Sequence, residues 1–228
     1  MLSVSNLKKS FLKPSGATFE VLRDVSFTVN AGEMIAITGA SGAGKSTLLH
    51  LIGGLERADH GEIKLDDFDV TRATPNQLST YRQRDVGFVF QSHRLLPDFN
   101  ALENVAMPLL INRNLKSQAM QCAALMLERI GLSERASHAI GTLSGGEQQR
   151  ISVARALITE PFLILADEPT GNLDSQTGAE LSALLKAYTV VNNAIIIIAT
   201  HNEHTAEMCN RVLNLQDGSV EIQHTIFI

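Results

Sequence analysis

The spacing of apolar and polar residues changes along the chain, and each change marks an element. Between Val21 and Val29 the two kinds alternate, through Val21, Asp24, Val25, Ser26, Phe27, Thr28 and Val29. This period of two predicts a half-buried antiparallel strand. Ala31-Gly32 then turns the chain into Met34-Ile35-Ala36-Ile37-Thr38, which is apolar without alternation. Such a run fits a strand covered on both faces in a parallel sheet. Leu163 to Ala166 and Ile195 to Ala199 repeat the pattern. Leu181, Leu184, Leu185 and Tyr188 share one helical face, with Asp174 or Ser175 placed to cap that helix. Buried strands separated by amphipathic helices predict a doubly wound α/β core.

The middle of the chain reads differently. From about residue 92 to about residue 160 it carries no buried-strand signal and predicts a helical subdomain inserted into a single domain spanning residues 1–228. Ala119, Cys122, Ala123, Met126 and Ile130 form a helical stripe, with Cys122 expected as a small core residue. Pro97 and Pro108 are expected to break up the stretch before it.

Composition narrows the class. The 228 residues are 44% apolar and 19% charged, as in a chain that buries a large core. The net charge of -5, with no block of Lys or Arg, argues against a nucleic-acid surface. Two cysteines far apart, Cys122 and Cys209, make no disulfide framework and fit a reducing compartment. Met1 to Ser10 does not read as a secretory signal. No window approaches the ~18 consecutive apolar residues of a membrane helix. The expectation is a soluble protein without membrane spans.

Three segments carry chemistry. Gly39-Ala40-Ser41-Gly42-Ala43-Gly44-Lys45-Ser46-Thr47 fits G-x-x-x-x-G-K-[ST] at every position, between a buried strand and a helix-forming run. Its glycines let successive N–H groups face phosphate oxygens, and the helix N-terminus adds a positive dipole end. Lys45 supplies a cation for the β- and γ-phosphates, and the Ser46 hydroxyl can ligate Mg²⁺. The second segment is Asp167-Glu168-Pro169, at the carboxyl end of a buried strand where α/β sheets place ligands. Asp167 is expected to hold Mg²⁺ through water, and Glu168 to polarise an attacking water as general base. In the third, Leu143-Ser144-Gly145-Gly146-Glu147-Gln148-Gln149-Arg150, Ser144 and Glu147 have capping-box spacing. A helix therefore starts there, and Ser-Gly-Gly reads either as a second anion site or as a plain glycine turn into a capped helix.

Leu143 to Arg150 resembles the signature motif of ABC-transporter ATPases, which other phosphate-loop families lack, and further motifs follow in the family's order. Gln91 matches the glutamine of the Q-loop, Leu163 to Glu168 the Walker B strand, Gly171-Asn172-Leu173-Asp174 the D-loop and His201 the switch histidine. Phe11 lies where the family places an adenine-stacking aromatic, usually tyrosine, and Phe19 rivals it. Ala43 departs from the Gly or Ser that relatives often carry.

The resemblance covers essentially the whole chain. It implies an α/β phosphate-loop NTPase core of ABC ATPase type, with an antiparallel β subdomain and an inserted helical subdomain. It implies ATP and Mg²⁺ as cofactors, and ATP hydrolysis coupled to transport. It also implies a homodimer in which Ser144, Gly145 and Gly146 of one subunit close over ATP held by the other. Glu168, His201 and Gln91 become catalytic residues, Gln91 also approaching Mg²⁺, and Asp174 faces the partner.

The stretch from Gln91 to Leu110 resembles the ATPases of bacterial lipoprotein-releasing systems most closely, and the Asp167–Asp174 segment is shared with macrolide-exporter and cell-division relatives. This implies membrane permease subunits as partners, no nucleic acid, and a peripheral place on the cytoplasmic face of the inner membrane. Leu95, Leu96, Phe99 and Leu102 either line a groove for a helix of the membrane subunit or pack inside the helical subdomain. The reading from a different class, a soluble non-transport ABC ATPase, lacks its expected coiled-coil, zinc or tandem-cassette features here. The tail, Glu221 to Ile228, matches no functional motif.

Overall fold

The computed structural model describes residues 1–225 apart from 13, 15 and 172, with residues 222–225 as backbone only. Asn172 of the D-loop and the tail residues Ile226, Phe227 and Ile228 lie outside the described residues. The strands are β1 (Leu2–Leu12), β2 (Thr18–Val29), β3 (Met34–Thr38), β4 (His60–Leu65), β5 (Phe68–Asp69), β6 (Val86–Val89), β7 (Leu163–Asp167), β8 (Ile195–Ala199), β9 (Arg211–Gln216) and β10 (Ser219–Thr225). The helices are α1 (Lys45–Ile52), α2 (Pro75–Arg84), α3 (Ala101–Ile111), α4 (Lys116–Arg129), α5 (Gly145–Leu157), α6 (Ser175–Asn192) and α7 (Glu203–Glu207).

One sheet runs in the order β5-β4-β1-β2-β10-β9-β3-β8-β7-β6. From β9 to β6 its strands are parallel, and β5-β4-β1-β2 pair antiparallel. The non-alternating runs are β3, β7 and β8, as their patterns predict. Their side chains divide by parity between two covers. Ile35, Ile37, Leu163, Leu165, Ile195 and Ile197 pack with Leu48, Leu51 and Ile52 of α1. Met34, Ala36, Ile164, Ala166, Ile196 and Ile198 pack with Val153 and Leu157 of α5 and Leu181 and Leu185 of α6. The alternating run Val21–Val29 is the greater part of β2, which buries Leu22, Val25, Phe27 and Val29. Its partner β1 gives no such signal because its register shifts between Val4 and Leu7 and again before Lys9. These irregularities put Leu2, Val4 and Leu7 on one face without a constant period.

Between β6 and β7, α3, α4 and α5 surround an apolar cluster of their own, built on Val105, Ala119, Ala123, Leu127, Ile151 and Ala154. Helix α5 belongs to two cores, since its Val153, Ala156 and Leu157 face the parallel sheet. Two expectations fail here. Cys122 is exposed, because the buried line of α4 runs Ala119, Ala123, Leu127 and a residue at 122 drifts off it. Pro108 does not interrupt the chain but lies inside α3, in its last turns, where only a single ladder bond is lost. Asn104 on α3 is fully buried; its amide donates to the carbonyls of Leu96, Phe99 and Asn100, and its Oδ1 accepts from Leu96 N–H. It fastens the 96–100 loop to the helix. No described helix is long and apolar enough to cross a membrane.

Helix α5 starts in the capping box that its sequence predicts. Ser144 Oγ accepts from Glu147 N–H, and Glu147 accepts from Ser144 N–H at 2.8 Å. The Arg135 guanidinium, 2.8 Å from Glu147, together with the Ser144 bonds, pulls the Glu147 carboxyl down to about 2. A depressed carboxylate stabilises the fold above its unfolded-state value and loses that contribution as pH falls toward its folded value. Acid titration between pH 4.5, its ordinary value, and about 2 is therefore expected to weaken the start of α5. Glu147→Gln, which can keep the cap, should flatten that part of the stability–pH curve measured by urea unfolding. In the central strand, Ile197→Ala is expected to cost roughly 2–5 kcal/mol in the same assay, since the site is fully buried between two helical layers.

Candidate active site

The register of the parallel strands assembles the site. Ile37 lies beside Ala199, Ala199 beside Asp167, and Ala166 beside Val89. The segments that follow β3, β8, β7 and β6 therefore leave the sheet at nearly one level, along its carboxyl rim. They are the phosphate loop, Thr200-His201, Glu168 and Gln91. A cleft of about 620 Å³ opens there, lined by Phe11, Phe19, Val21, Gly39, Ser41, Gly42, Gly44, Lys45, Ser46, Thr47, Gln91, Asp167, Glu168 and His201.

The loop before α1 needs its glycines. Gly39 has φ 139°, and a Cβ there would sit 2.3 Å from the Leu215 carbonyl oxygen of β9. Gly44, the N-cap of α1, has φ 105°, and its Cβ would meet Val21 at 2.7 Å. The loop thus closes against β9 and β2 only without side chains at these points. Lys45 Nζ donates to the carbonyls of Gly39 and Ala40 at 2.8 and 3.1 Å, so its ammonium is held across the loop. Ala40 and Ala43 turn toward a neighbouring recess beside the β9–β10 turn.

Glu168 follows β7 in the left-handed region, at φ 49°. Such strain persists where the surroundings over-determine it, and here they do. Glu168 N–H donates to the Ala199 carbonyl at 2.9 Å. Its Oε2 accepts from Thr200 Oγ1 at 3.1 Å, and its Oε1 accepts from His201 N–H at 3.1 Å and lies 2.6 Å from His201 Nδ1. The carboxylate side chain is only 10% exposed, whereas the His201 side chain is 75% exposed. A carboxylate at Nδ1 selects the tautomer with its proton there and leaves Nε2 toward the cleft. Thr200 is a residue that the sequence reading missed. A lone threonine after an apolar run gives no signal, and only the pairing of β7 with β8 brings its hydroxyl to Glu168.

Phe11 and Phe19 are directly opposed across the β1–β2 ladder, and both line the cleft. Lys9 Nζ covers one face of the Phe11 ring at 4.9 Å. Asp174 is outside the cleft and caps α6, accepting from Thr177 N–H and from its hydroxyl, contacts that lower its pKa. Ser144, Gly145 and Gly146 also lie outside the lining of this cleft. Ser144 and Gly145 are exposed, and a Cβ on Gly145 would meet nothing within 4 Å.

In the Gln91 stretch the four apolar residues divide. Leu95 and Leu102 pack on the helical cluster, while Leu96 and Phe99 are exposed. A second groove of about 480 Å³ runs between α2, β6 and the end of α3, bordered by Arg82, Phe88, Phe90, Arg94, Pro108 and Ile111.

The ABC transporter family model matches residues 22–171. The lipoprotein-releasing system ATP-binding protein LolD of Syntrophus aciditrophicus is 43% identical over 220 residues, covering 96% of this chain and 98% of that protein. LolD of Alcanivorax borkumensis is 48% identical over 199 residues, 87% of either chain. Among solved structures, the ATP-binding cassette MJ0796, dimeric and bound to ADP and Pi in a post-hydrolysis state, superposes with a TM-score of 0.94 at 35% identity over 99% of this chain and 98% of that one. A second dimeric structure of MJ0796, described as a bacterial ABC transporter cassette, gives 0.94 at 34% identity. A phosphate loop, an acidic strand end and a carboxylate–histidine pair on one sheet rim, with a family match over most of the chain, lead to one conclusion: this chain belongs to the ABC transporter family, as one of its ATPase cassettes.

Proposed function

We propose that this cassette is the ATP-hydrolysing subunit of a lipoprotein-releasing ABC system, working as a homodimer beneath membrane permease subunits on the cytoplasmic face of a bacterial inner membrane. The observation that supports this reading is identity of 43–46% over 96% of the chain to proteins named as ATP-binding proteins of the lipoprotein-releasing system. ATP lies with its triphosphate on the loop from Gly39 to Thr47 and its base against the Phe11–Phe19 pair. The loop's N–H groups and Lys45 hold the β- and γ-phosphates.

The oxygen donors of Ser46, Asp167 and Gln91 line the same cleft, a set suited to a hard cation. No cluster of three or more acidic, His or Cys residues able to hold a metal occurs among the described residues. This is the donor set of an ion that takes the rest of its shell from phosphate and water. Mg²⁺ held there supplies charge neutralisation on the phosphates. Glu168, fixed by Thr200 and His201, accepts the proton of the attacking water, and His201 faces the γ-phosphate with its free nitrogen.

Ser144, Gly145 and Gly146 complete the site from a second copy. The exposure of Ser144 and Gly145 at the start of α5, away from their own cleft, supports that arrangement, and two-fold symmetry then gives two ATP sites. The 92–160 segment serves as the helical subdomain that moves with closure. The groove bordered by Phe88, Phe90 and Ile111 takes a cytoplasmic helix of the permease.

Glu168→Gln is expected to keep ATP binding, to lower kcat by roughly a hundredfold or more, and to run as an ATP-dependent dimer in gel filtration. Normal turnover in that variant would sink the general-base role. Lys45→Ala should weaken ATP binding by tenfold or more in a fluorescent-nucleotide titration, roughly the loss of one charge-assisted contact. For the transport assignment, the membrane proteins that co-purify with the tagged chain should include permeases whose expression makes lipoprotein release ATP-dependent in proteoliposomes. Co-purification with a small-molecule exporter alone would overturn it.

A further inference from the structure

The turn after Gln91 contains two successive left-handed residues, His93 at φ 59° and Arg94 at φ 49°. Residues with side chains disfavour this region, so the turn needs outside support. Its own bonds are short-range, His93 N–H to the Phe90 carbonyl at 2.9 Å and Arg94 N–H to the Ser92 carbonyl at 2.6 Å. The outside support comes from α5. The Arg155 guanidinium forks onto the two strained residues, Nη2 donating to the His93 carbonyl at 2.8 Å and Nη1 to the Arg94 carbonyl at 2.7 Å. Ser152 Oγ donates to the His93 carbonyl at 3.3 Å.

Helix α5 packs directly on the strand that leads into this turn. A Cβ on Gly87 of β6 would stand 2.4 Å from the Ala156 carbonyl oxygen, so the two backbones are already in contact. The same helix begins at Ser144.

We propose that Arg155 is a positioning residue for the reaction: it holds the strained His93–Arg94 turn in the form that keeps Gln91 in the cleft. One rigid helix thereby ties the Ser144-Gly145-Gly146 turn to Gln91 of its own subunit. This inference rests on the reading of Gln91 given above.

The test uses the full chain and the variants Arg155→Lys, Arg155→Ala and Gln91→Ala, alone and combined. Arg155→Lys keeps the cation and the stem but loses the fork, and it carries the test if Arg155→Ala does not fold. Arg155→Lys should lower kcat by about tenfold with KM for ATP changed by less than about threefold, because the phosphate loop is untouched. In the Gln91→Ala background the same change should cost no more than about twofold further, because both act through one group. Amide hydrogen exchange should rise in residues 90–96 of Arg155→Lys and stay unchanged in residues 39–47. Multiplicative losses in the double variant, or unchanged exchange in 90–96, would overturn the proposal. Wild-type kcat in Gln91→Ala would remove the role of Gln91 and the proposal with it, while the exchange result would still report whether α5 holds the turn.

Discussion

The hydrogen-bond ladder joining β3, β8, β7 and β6 is the constraint on which the site depends. These strands are short, and β3, β7 and β8 are buried on two faces, so their register is set by which side chains must enter which helical layer. A slip of one residue between β7 and β8 would exchange Ile196 and Ile198 with Ile195 and Ile197 between the two covers. It would also carry Thr200 and His201 away from Glu168. The packing requirement and the chemical one are satisfied by the same alignment.

Strain concentrates on the rim that this alignment creates. Gly39, Glu168, His93 and Arg94 all have positive φ, and each is held by groups from another element. Gly39 closes on β9, Glu168 is tied to the end of β8, and His93 and Arg94 are tied to α5. The strands beneath are regular and apolar, and they supply the rigidity that lets the rim keep conformations the chain does not favour. The cleft on this rim is lined by the phosphate loop, Asp167, Glu168 and His201, while Ser144 and Gly145 stand exposed outside it.

The phosphate loop, the acidic strand end and the capping box were legible because each is a local requirement. A backbone that must curl, a strand that must end in carboxylates and a helix that must satisfy its first N–H groups select residue types at fixed spacing. The parallel strands β3, β7 and β8 were legible for the same reason, since burial on both faces leaves an unbroken apolar run, whereas parallel β9, with Asn214 in its middle, gives no such run. Strand β1 was not, because its bulges erase the period that periodicity reading needs. Cys122 stands exposed because the buried line of α4, through Ala119, Ala123 and Leu127, is narrower than the apolar stripe in its sequence.

By itself the sequence determined β2, the buried strands β3, β7 and β8, the start of α5, the chemistry of the phosphate loop and the family, because these rest on patterns between residues a few positions apart. Only the tertiary structure decided that Thr200 and His201 grip Glu168, that Phe11 and Phe19 face each other across one ladder, and that Arg155 grips the turn after Gln91. These pairs are distant along the chain, or fixed by a pairing register that residue spacing does not specify. Their meeting depends on the direction in which each strand and helix presents its side chains, which no local pattern encodes.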